Sequence, residues 1–420
     1  MQKIQIRYLS LEFLYLFLLV LLLARSCVFT SNLDPRTNLF GFILYILPAI
    51  LLVFKYNIRF NKHFWIVFSF LVVWTLLHIL QDDIVKYLQY FNIFLAVFVS
   101  YIVIQTFKYK LIPYIEKIIT ILTAFSSFMW IIMHLVGKKA IESIGVFEPA
   151  SVTSSASLLF FNTPAERYDE LGLFGLMRNC GFSWEPGMFA SIIVIGIVLN
   201  LLIYKNNFKN TNFYILVFGL FSTFSTTGYA SFAILLIIRY IYYARSKAKF
   251  IFGIILIMPL VFTMLDIPFM QEKIQLQLEE REFSVYDEEA MKALESSDIE
   301  GQMTVNRFEG IELDFINFKR NPFIGYGNVD NSYTKTNISE LISTSNGIMK
   351  EFAQMGFILA LLHQICFITS CREINLYHKG NIKSLLNIIY FVVSISYSLG
   401  FTALMNSLMF FSYFKQKNDK

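Results

Sequence analysis

Ten residues, Arg178 to Gly187, combine the groups needed to bind an anion beside a membrane. Their sequence, RNCGFSWEPG, stands directly before a hydrophobic run at 188–204. Pro186 suits the first position of a helix, which makes Glu185 the N-cap residue. A helix N-terminus has a partial positive charge, and Arg178 adds a full one nearby. We therefore expect anion binding here; the alternative is an interfacial arginine and a glutamate that only caps a helix.

A second polar group surrounds a predicted amphipathic helix. Apolar residues recur at helical spacing from 308 to 318, which predicts a helix that Arg307 opens and an Asn-Pro turn ends. Arg320 lies at the far end of this helix. The sequence NPFIGYG follows it, and its two glycines permit a tight backbone path. The alternative is a loop helix with ordinary turn chemistry.

A third group lies at the start of a hydrophobic run at 346–370. Ser345 and Asn346 are candidates for capping the helix that begins there. Lys350 and Glu351 follow within its first turns. Charged side chains are costly in lipid, so we expect both to face the protein interior or the membrane interface.

The composition indicates a membrane protein with many spans. The 420 residues are 56% hydrophobic and 17% aromatic, and only 15% are charged, against about 25% in soluble proteins. The net charge is +5, but the basic residues are scattered between apolar runs and form no stripe. We therefore do not expect nucleic acid as a partner.

The hydrophobic runs predict an all-α, polytopic integral membrane protein with about twelve transmembrane helices, because a span needs about 20 apolar residues. Two long runs, 212–244 and 384–414, are broken at 225–228 and at Gly400 and supply two spans each. The other eight runs supply one span each: 8–29, 38–55, 63–80, 87–107, 112–136, 187–204, 249–268 and 346–370.

Lysine and arginine concentrate in alternate connecting segments. By the positive-inside rule, both termini are then cytoplasmic and two long polar intervals fall on the outer side. The predicted units are helices one to five at 1–136, a first outer loop at 137–186, helices six to nine at 187–268, a second outer loop at 269–345, and the C-terminal helices at 346–420.

Motifs for nucleotide or metal chemistry are missing from the sequence. It has no Walker A loop, no dinucleotide-binding glycine motif, no HExxH and no GxSxG elbow. The outer loops also lack an Asp-rich motif for Mg²⁺. We therefore expect no metal and no cofactor, and a substrate that arrives already activated.

The positions of the histidines limit the possible bases. Of five, only His78 and His134 lie near the outer ends of predicted spans; His363 and the remaining two lie at or near the inner side. A single histidine at a helix end is more often interfacial than catalytic. We keep His134 as a weaker binding candidate.

Together these stretches resemble the Wzy-type O-antigen polymerases. The shared elements are Arg-x-x-Gly-x-x-x-Glu-Pro-Gly before a span, Asn-Arg and then Asn-Pro-Phe-Ile-Gly-Tyr-Gly in an outer loop, and Ser-Asn at the next span. The Ser-Thr-Thr-Gly break at 225–228 is also typical. The likeness covers about 173–356. These polymerases and the O-antigen ligases form one superfamily of polytopic membrane glycosyltransferases.

The resemblance implies a metal-independent, inverting transfer at the periplasmic face of the bacterial inner membrane. The growing glycan on undecaprenyl diphosphate would move onto a lipid-linked repeat unit. By analogy, Arg178 and Arg307 would bind the diphosphate, with Arg320 and Asn346 as weaker candidates. Glu185 would be either the base for the acceptor hydroxyl or a residue that orients Arg178, and we favour orientation. Besides this lipid-linked oligosaccharide and membrane lipid, the implied partners are a chain-length regulator and a flippase.

Two other functions remain as alternatives. O-antigen ligases tend to have a histidine immediately before the asparagine that corresponds to Asn346, whereas this chain has Ser345. This departure favours a polymerase and leaves the general base open. A flippase or transporter of lipid-linked oligosaccharides needs a charged path through its spans, where this chain has few charges. We therefore expect a polymerase of O-antigen or capsular polysaccharide.

Overall fold

The protein is a helical bundle with little sheet. The computed structural model describes residues 10–24, 39–81, 87–144, 154–164, 175–183, 185–204, 208–243, 303–304, 307–327, 342–343, 347–379, 385–395, 397, 399–400 and 402–415. The predicted span at 249–268 and most of the second predicted outer loop lie outside these residues.

Long apolar helices make up most of the described chain. In chain order the helices are α1 (Leu11–Leu23), α2 (Leu39–Tyr56), α3 (Lys62–Gln81), α4 (Tyr87–Phe107), α5 (Leu111–Val136), α6 (Lys138–Ile144), α7 (Pro186–Ile203), α8 (Thr211–Ser222), α9 (Thr226–Tyr243), α10 (Arg307–Arg320), α11 (Ile348–Tyr377), α12 (Leu385–Ser394), α13 (Ala403–Met409) and α14 (Phe411–Phe414). The strands are β1 (Ser154–Leu158), β2 (Phe161–Pro164), β3 (Met303–Thr304) and β4 (Ile342–Ser343).

The hydrophobic runs predict the long helices closely. Helix α4 coincides with the predicted run at 87–107, and α5 and α7 each lie within one residue of theirs. By length and composition, four described segments qualify as membrane spans: Lys62–Leu80, Tyr90–Val136, Pro186–Ile203 and Ile348–Tyr377. The second of these contains α5 and α4 from Tyr90 onward, so the chain has the helices of a multi-pass membrane protein. The number twelve stays a prediction.

Two small sheets add to the expected all-α architecture. Strands β1 and β2 form an antiparallel hairpin in which Leu158 pairs with Phe161, and β3 and β4 pair in parallel. All four residues of β2 are buried, so the strand shows no alternation between a polar and an apolar face. This is why the hydrophobic pattern did not predict it.

Helix α7 is the centre of the bundle. All its residues from Pro186 to Leu202 are buried, and it packs against α5, α8, α9 and α12. A helix that is apolar on every side belongs in the interior. Small residues allow its neighbours to approach closely: a Cβ at Gly219 of α8 would lie 2.2 Å from Thr123 Cγ2 of α5.

Both predicted breaks are present in the two long runs. Helix α8 ends at Ser222 and α9 begins at Thr226, so the run at 212–244 forms two helices. Gly400 lies between α12 and α13, and Thr402 caps α13 through a side-chain bond from the Met405 N–H. The run at 212–244 therefore supplies two helices, and the run at 384–414 supplies α12 before the break and α13 and α14 after it.

Helix α11 bends sharply at Gly356, whose φ is 72° and ψ is 173°. The segment after α10 enters this break. The Phe357 N–H donates to the Pro322 carbonyl (2.7 Å), and the Tyr326 N–H donates to the Ala353 carbonyl (2.9 Å). The NPFIGYG sequence therefore satisfies backbone groups that a straight helix would satisfy internally.

Two glycines make this close backbone contact possible. A Cβ at Gly325 would lie 2.2 Å from the Gln354 carbonyl oxygen, and a Cβ at Gly356 would lie 2.3 Å from the Phe323 carbonyl oxygen. Both glycines also have positive φ. We call the bend of α11 at Gly356, together with the inserted segment 322–327, the elbow. The Ile324 carbonyl in this segment accepts from Trp74 Nε1 of α3 (2.8 Å), which connects the elbow to the N-terminal helices.

We predict that Gly325→Ala and Gly356→Ala each destabilise the protein more than Gly137→Ala does. Gly137 also has positive φ, but a Cβ there meets nothing within 4 Å. The control therefore carries only the cost of an unfavourable backbone conformation, about 1–3 kcal/mol, whereas the other two variants also force backbone atoms apart. Thermal unfolding in detergent measures the difference. Equal losses in all three variants would contradict the elbow contact.

Candidate functional site

The segment 178–183 is attached to the break between α8 and α9. The Asn179 N–H donates to the Ser222 carbonyl (2.9 Å), and Asn179 Nδ2 donates to Ser222 Oγ (2.8 Å). Arg178 Nε donates to the Thr223 carbonyl (3.2 Å). The carbonyls left unpaired at the end of α8 thus obtain partners. The first motif and the Ser-Thr-Thr-Gly break form one structural unit.

Arg178 is buried, with 2% of its surface exposed. It is therefore not an interfacial side chain with its head group in water. Its positive charge lies at the C-terminal end of α8, where the helix dipole favours a cation. Tyr229 of α9 lies within electrostatic range of it. The end of the bundle at this break therefore holds a buried positive charge.

The β1–β2 hairpin supports the same segment from the other side. The Asn162 N–H donates to the Gly181 carbonyl (2.7 Å), and Asn162 Nδ2 donates to the Ser183 carbonyl (2.8 Å). Ser157 Oγ in turn donates to Asn162 Oδ1 (2.5 Å). Sequence analysis missed Asn162. The signal available was weak, because a single asparagine in a Ser-rich stretch has no periodic pattern around it.

Glu185 occupies the N-cap position of α7, and Pro186 is the first helical residue, as predicted. The Glu185 backbone is extended, but its half-buried side chain makes no capping hydrogen bond. The carboxylate is therefore not used to cap the helix. Gly187 follows Pro186 in the first turn of α7, and a Cβ on it would lie 1.8 Å from the Tyr397 hydroxyl. Tyr397, from the segment after α12, thus touches the start of α7.

The same segment borders the start of α11. The Gly347 N–H donates to the Ser394 carbonyl (2.7 Å), and a Cβ on Gly400 would lie 3.3 Å from Glu351 Oε2. Glu351 is buried, which confirms that it faces the protein interior. The starts of α7 and α11 therefore both lie close to the described residues between α12 and α13. Ser345 and Asn346 lie outside the described residues.

Helix α10 begins at Arg307 and ends at Arg320, as predicted, but it buries a different face. Its buried side chains against α11 include Leu313, Asp314 and Asn317, while Phe315 is 42% exposed. The apolar face predicted from 308–318 was therefore wrong at Phe315, whereas Phe318 of that face packs edge-on against Phe352 of α11 (ring centroids 6.1 Å apart). Apolar spacing along the sequence does not reveal that Asp314 and Asn317 are buried.

Tyr326 lies beside this polar face. Burial of its phenol, together with the charge of Asp314 nearby, raises the pKa of Tyr326 well above its ordinary value. Tyr326 is therefore a neutral hydroxyl at working pH. Sequence analysis did not consider Asp314 as a site residue.

The remaining candidates lie at separate places. Arg307 is the first residue of α10, and its side chain lies outside what the structure describes. Arg320 is exposed at the other end of α10, about 20 Å along the axis. This distance weakens Arg320 as a partner of Arg307 in one pocket.

His134 lies closer to the first motif. Its ring packs edge-on against Trp130, with centroids 4.8 Å apart. Trp130 Nε1 donates to the carbonyl of Met177, the residue before Arg178 (2.7 Å). The last turn of α5 therefore supports the segment that carries Arg178.

The structure has an apolar cavity of about 150 Å³ elsewhere, between α3, α4, α11 and α13. Ligand pockets are typically about 300–1,000 Å³. The polar residues on its wall include His363 and Asn406, and none of the predicted site residues lines it. We therefore do not place the site there.

Part of the chain matches a known family. Residues 211–363 match the family model described as O-antigen ligase (Wzy_C). The match begins at α8, includes α9 and α10, and ends within α11, so it contains Arg307 but not Arg178 or Glu185. No curated protein and no solved structure matches the chain.

We predict that Asn179→Ala destabilises the protein by about 1–3 kcal/mol. The change removes the donor to Ser222 Oγ and leaves the Gly181 N–H, which donates to Asn179 Oδ1 (2.9 Å), buried without that partner. Asn387→Ala, at a half-buried position on α12, is the matched control and should change stability by less than about 0.5 kcal/mol. Thermal unfolding in detergent measures both. Equal shifts would contradict the role of Asn179 in holding this segment.

Proposed function

We propose that the chain is a polysaccharide polymerase of the O-antigen ligase/polymerase superfamily, which the match at 211–363 supports. The enzyme would transfer the growing glycan from undecaprenyl diphosphate onto a lipid-linked repeat unit. The reaction would take place at the periplasmic face of the bacterial inner membrane and need no metal.

One observation supports the proposal best. The Arg178 segment, the start of α7 and the start of α11 are connected around two helix breaks, through Thr223 and through the segment 394–400. Motifs that are about 170 residues apart in the sequence therefore approach one end of the bundle. A site for a lipid-linked diphosphate needs this kind of place, where polar groups stand next to apolar helices.

The proposed chemistry follows from the charges in the transfer. The acceptor hydroxyl oxygen attacks the anomeric carbon, the bond from that carbon to the diphosphate oxygen breaks, and the hydroxyl proton passes to a base. In-line attack inverts the configuration. Negative charge develops on the leaving diphosphate, and guanidinium donors stabilise it. The positive end of α7, beginning at Pro186, would add to this effect.

Glu185 has two proposed roles. Because its carboxylate is not used for capping, it could accept the hydroxyl proton or orient Arg178 through a charge-assisted hydrogen bond. We favour orientation, because Glu185 and Arg178 carry opposite charges within one motif.

A ligase that transfers a finished glycan to another acceptor is the second candidate, because the matched family is described as O-antigen ligase. Ser345, where ligases tend to have histidine, favours the polymerase. A flippase is the candidate from another class. Against it, acids within the helices are satisfied locally: Glu12 pairs with Lys55 (2.6 Å), and Glu116 accepts from Asn200 Nδ2 (2.7 Å).

The test uses purified protein in liposomes with a synthetic undecaprenyl-diphosphate-linked repeat unit, without nucleotide and with a chelator. A ladder of longer lipid-linked products supports the polymerase. Transfer to added lipid A-core without a ladder would show a ligase. Movement of the lipid-linked unit across the bilayer without any transfer would show a flippase.

We predict that Arg178→Ala and Arg307→Ala each reduce ladder formation by about 100-fold or more, because each removes stabilisation of the developing charge. Lysine at either position should restore little, since it cannot make the bidentate contact. Arg372→Ala, at an exposed position near the other end of α11, is the control and should keep full activity. Rates are compared for correctly inserted protein of equal thermal stability. Full activity in both alanine variants would rule out this site.

A further inference from the structure

Glu351 and His363 contact each other within α11, although twelve residues separate them. Glu351 Oε1 and His363 Nδ1 are hydrogen-bonded. In a straight α-helix, twelve residues span about 18 Å, which is too far for these side chains to meet. The break at Gly356 makes the contact possible, because it divides α11 into a short limb (348–355) and a long limb (357–377). The pair therefore closes the elbow.

The pair is enclosed and has partners on both sides. Glu351 is 1% exposed and His363 is 5% exposed. His363 Nε2 lies 3.0 Å from Asn406 Oδ1 of α13, and Gln364 Nε2 donates to Glu351 Oε2 (3.1 Å). Both ring nitrogens thus face oxygen atoms, an arrangement that fits the doubly protonated imidazolium. We therefore treat the contact as a buried ion pair.

A buried ion pair is costly to form and is not by itself evidence of stability. Removing both charges is often neutral, whereas removing one leaves the other uncompensated and is strongly destabilising. Ionisable residues inside membrane helices are rare and are commonly functional. The pair therefore needs an explanation beyond packing.

The short limb connects the parts of the candidate site. At its start, the Glu351 N–H donates to the Gly347 carbonyl (3.0 Å), and the Gly347 N–H donates to Ser394. The Glu351 carboxylate lies beside Gly400 in the segment that also brings Tyr397 to the start of α7. At its end, the short limb receives the 322–327 segment that follows α10. A shift of this limb therefore changes the spacing between α7, α10 and α11.

We propose that Glu351 and His363 are positioning residues for the transfer reaction. The pair holds the short limb of α11 so that the groups at the starts of α7 and α11 keep the spacing that the diphosphate and the acceptor require. This inference rests on the proposed function. Neither residue contacts the substrate in this proposal; each acts through the limb that it fixes.

The experiment compares Glu351→Gln, His363→Gln and the double variant. Two readouts are used: the kinetics of ladder formation, and hydrogen exchange of the backbone amides at 348–355. Glu373→Gln is the matched control. Glu373 lies on the long limb of the same helix and forms an ion pair with Lys415 (2.8 Å), which follows α14. It removes a charge of the same kind away from the elbow.

We expect each single variant to lower kcat by about 100-fold, the effect of a displacement of about 1 Å in a reacting geometry. KM for the lipid-linked unit should change by less than about threefold, because the binding groups themselves are intact. Exchange at 348–355 should accelerate in both single variants. In the double variant, two neutral amides can bond to each other, so kcat and exchange should recover towards the wild-type values. The Glu373→Gln control should match wild type in both readouts.

Two results would overturn the positioning role. One is wild-type kcat together with wild-type exchange in Glu351→Gln, and the other is a double variant that is impaired as the sum of the single variants. If a single variant does not fold, the double variant decides: recovery of kcat and of hydrogen exchange supports the positioning role, and loss of both overturns it. If the wild-type protein forms no ladder, the proposed function fails, and unchanged exchange at 348–355 would then overturn the positioning role independently.

Discussion

Backbone groups that a helix break releases inside an apolar medium need partners from the protein itself, because lipid offers none. This constraint connects the features of the structure. Asn179 and Arg178 bond to the end of α8, the 322–327 segment enters the elbow of α11, and Gly347 bonds to the end of α12. The segment that closes each break thus either contains one of the polar motifs or lies next to one in the sequence.

Some residues of the motifs are needed for folding and others for the proposed chemistry, and the sequence alone does not show which residues have which role. Glycines at 325 and 356 are needed for close backbone contact, whereas Arg178 both bonds to Thr223 and supplies a buried positive charge. A mutation at such a position affects folding and activity together. Pairs of variants with matched controls are consequently more informative than single losses of function.

The sequence predicted the helices well because long apolar runs leave few alternatives. It predicted α4 to the residue, the breaks near 225 and 400, and the start of α10 at Arg307. It did not predict the β1–β2 hairpin, whose second strand lacks alternation, or the buried polar face of α10. It also did not predict that His363 contacts Glu351. The contact with Glu351 depends on a positive φ at Gly356, and periodicity along the chain does not reveal such a reversal.

The burial of α7 on all sides has a consequence for the order of assembly. The helices that surround it include α5, which is synthesised before it, and α12, which follows about 180 residues later. While the ribosome is still translating the intervening chain, one flank of α7 has only lipid or the insertion machinery to contact. The packing around α7 is therefore completed only after the intervening residues have been made and α12 has emerged.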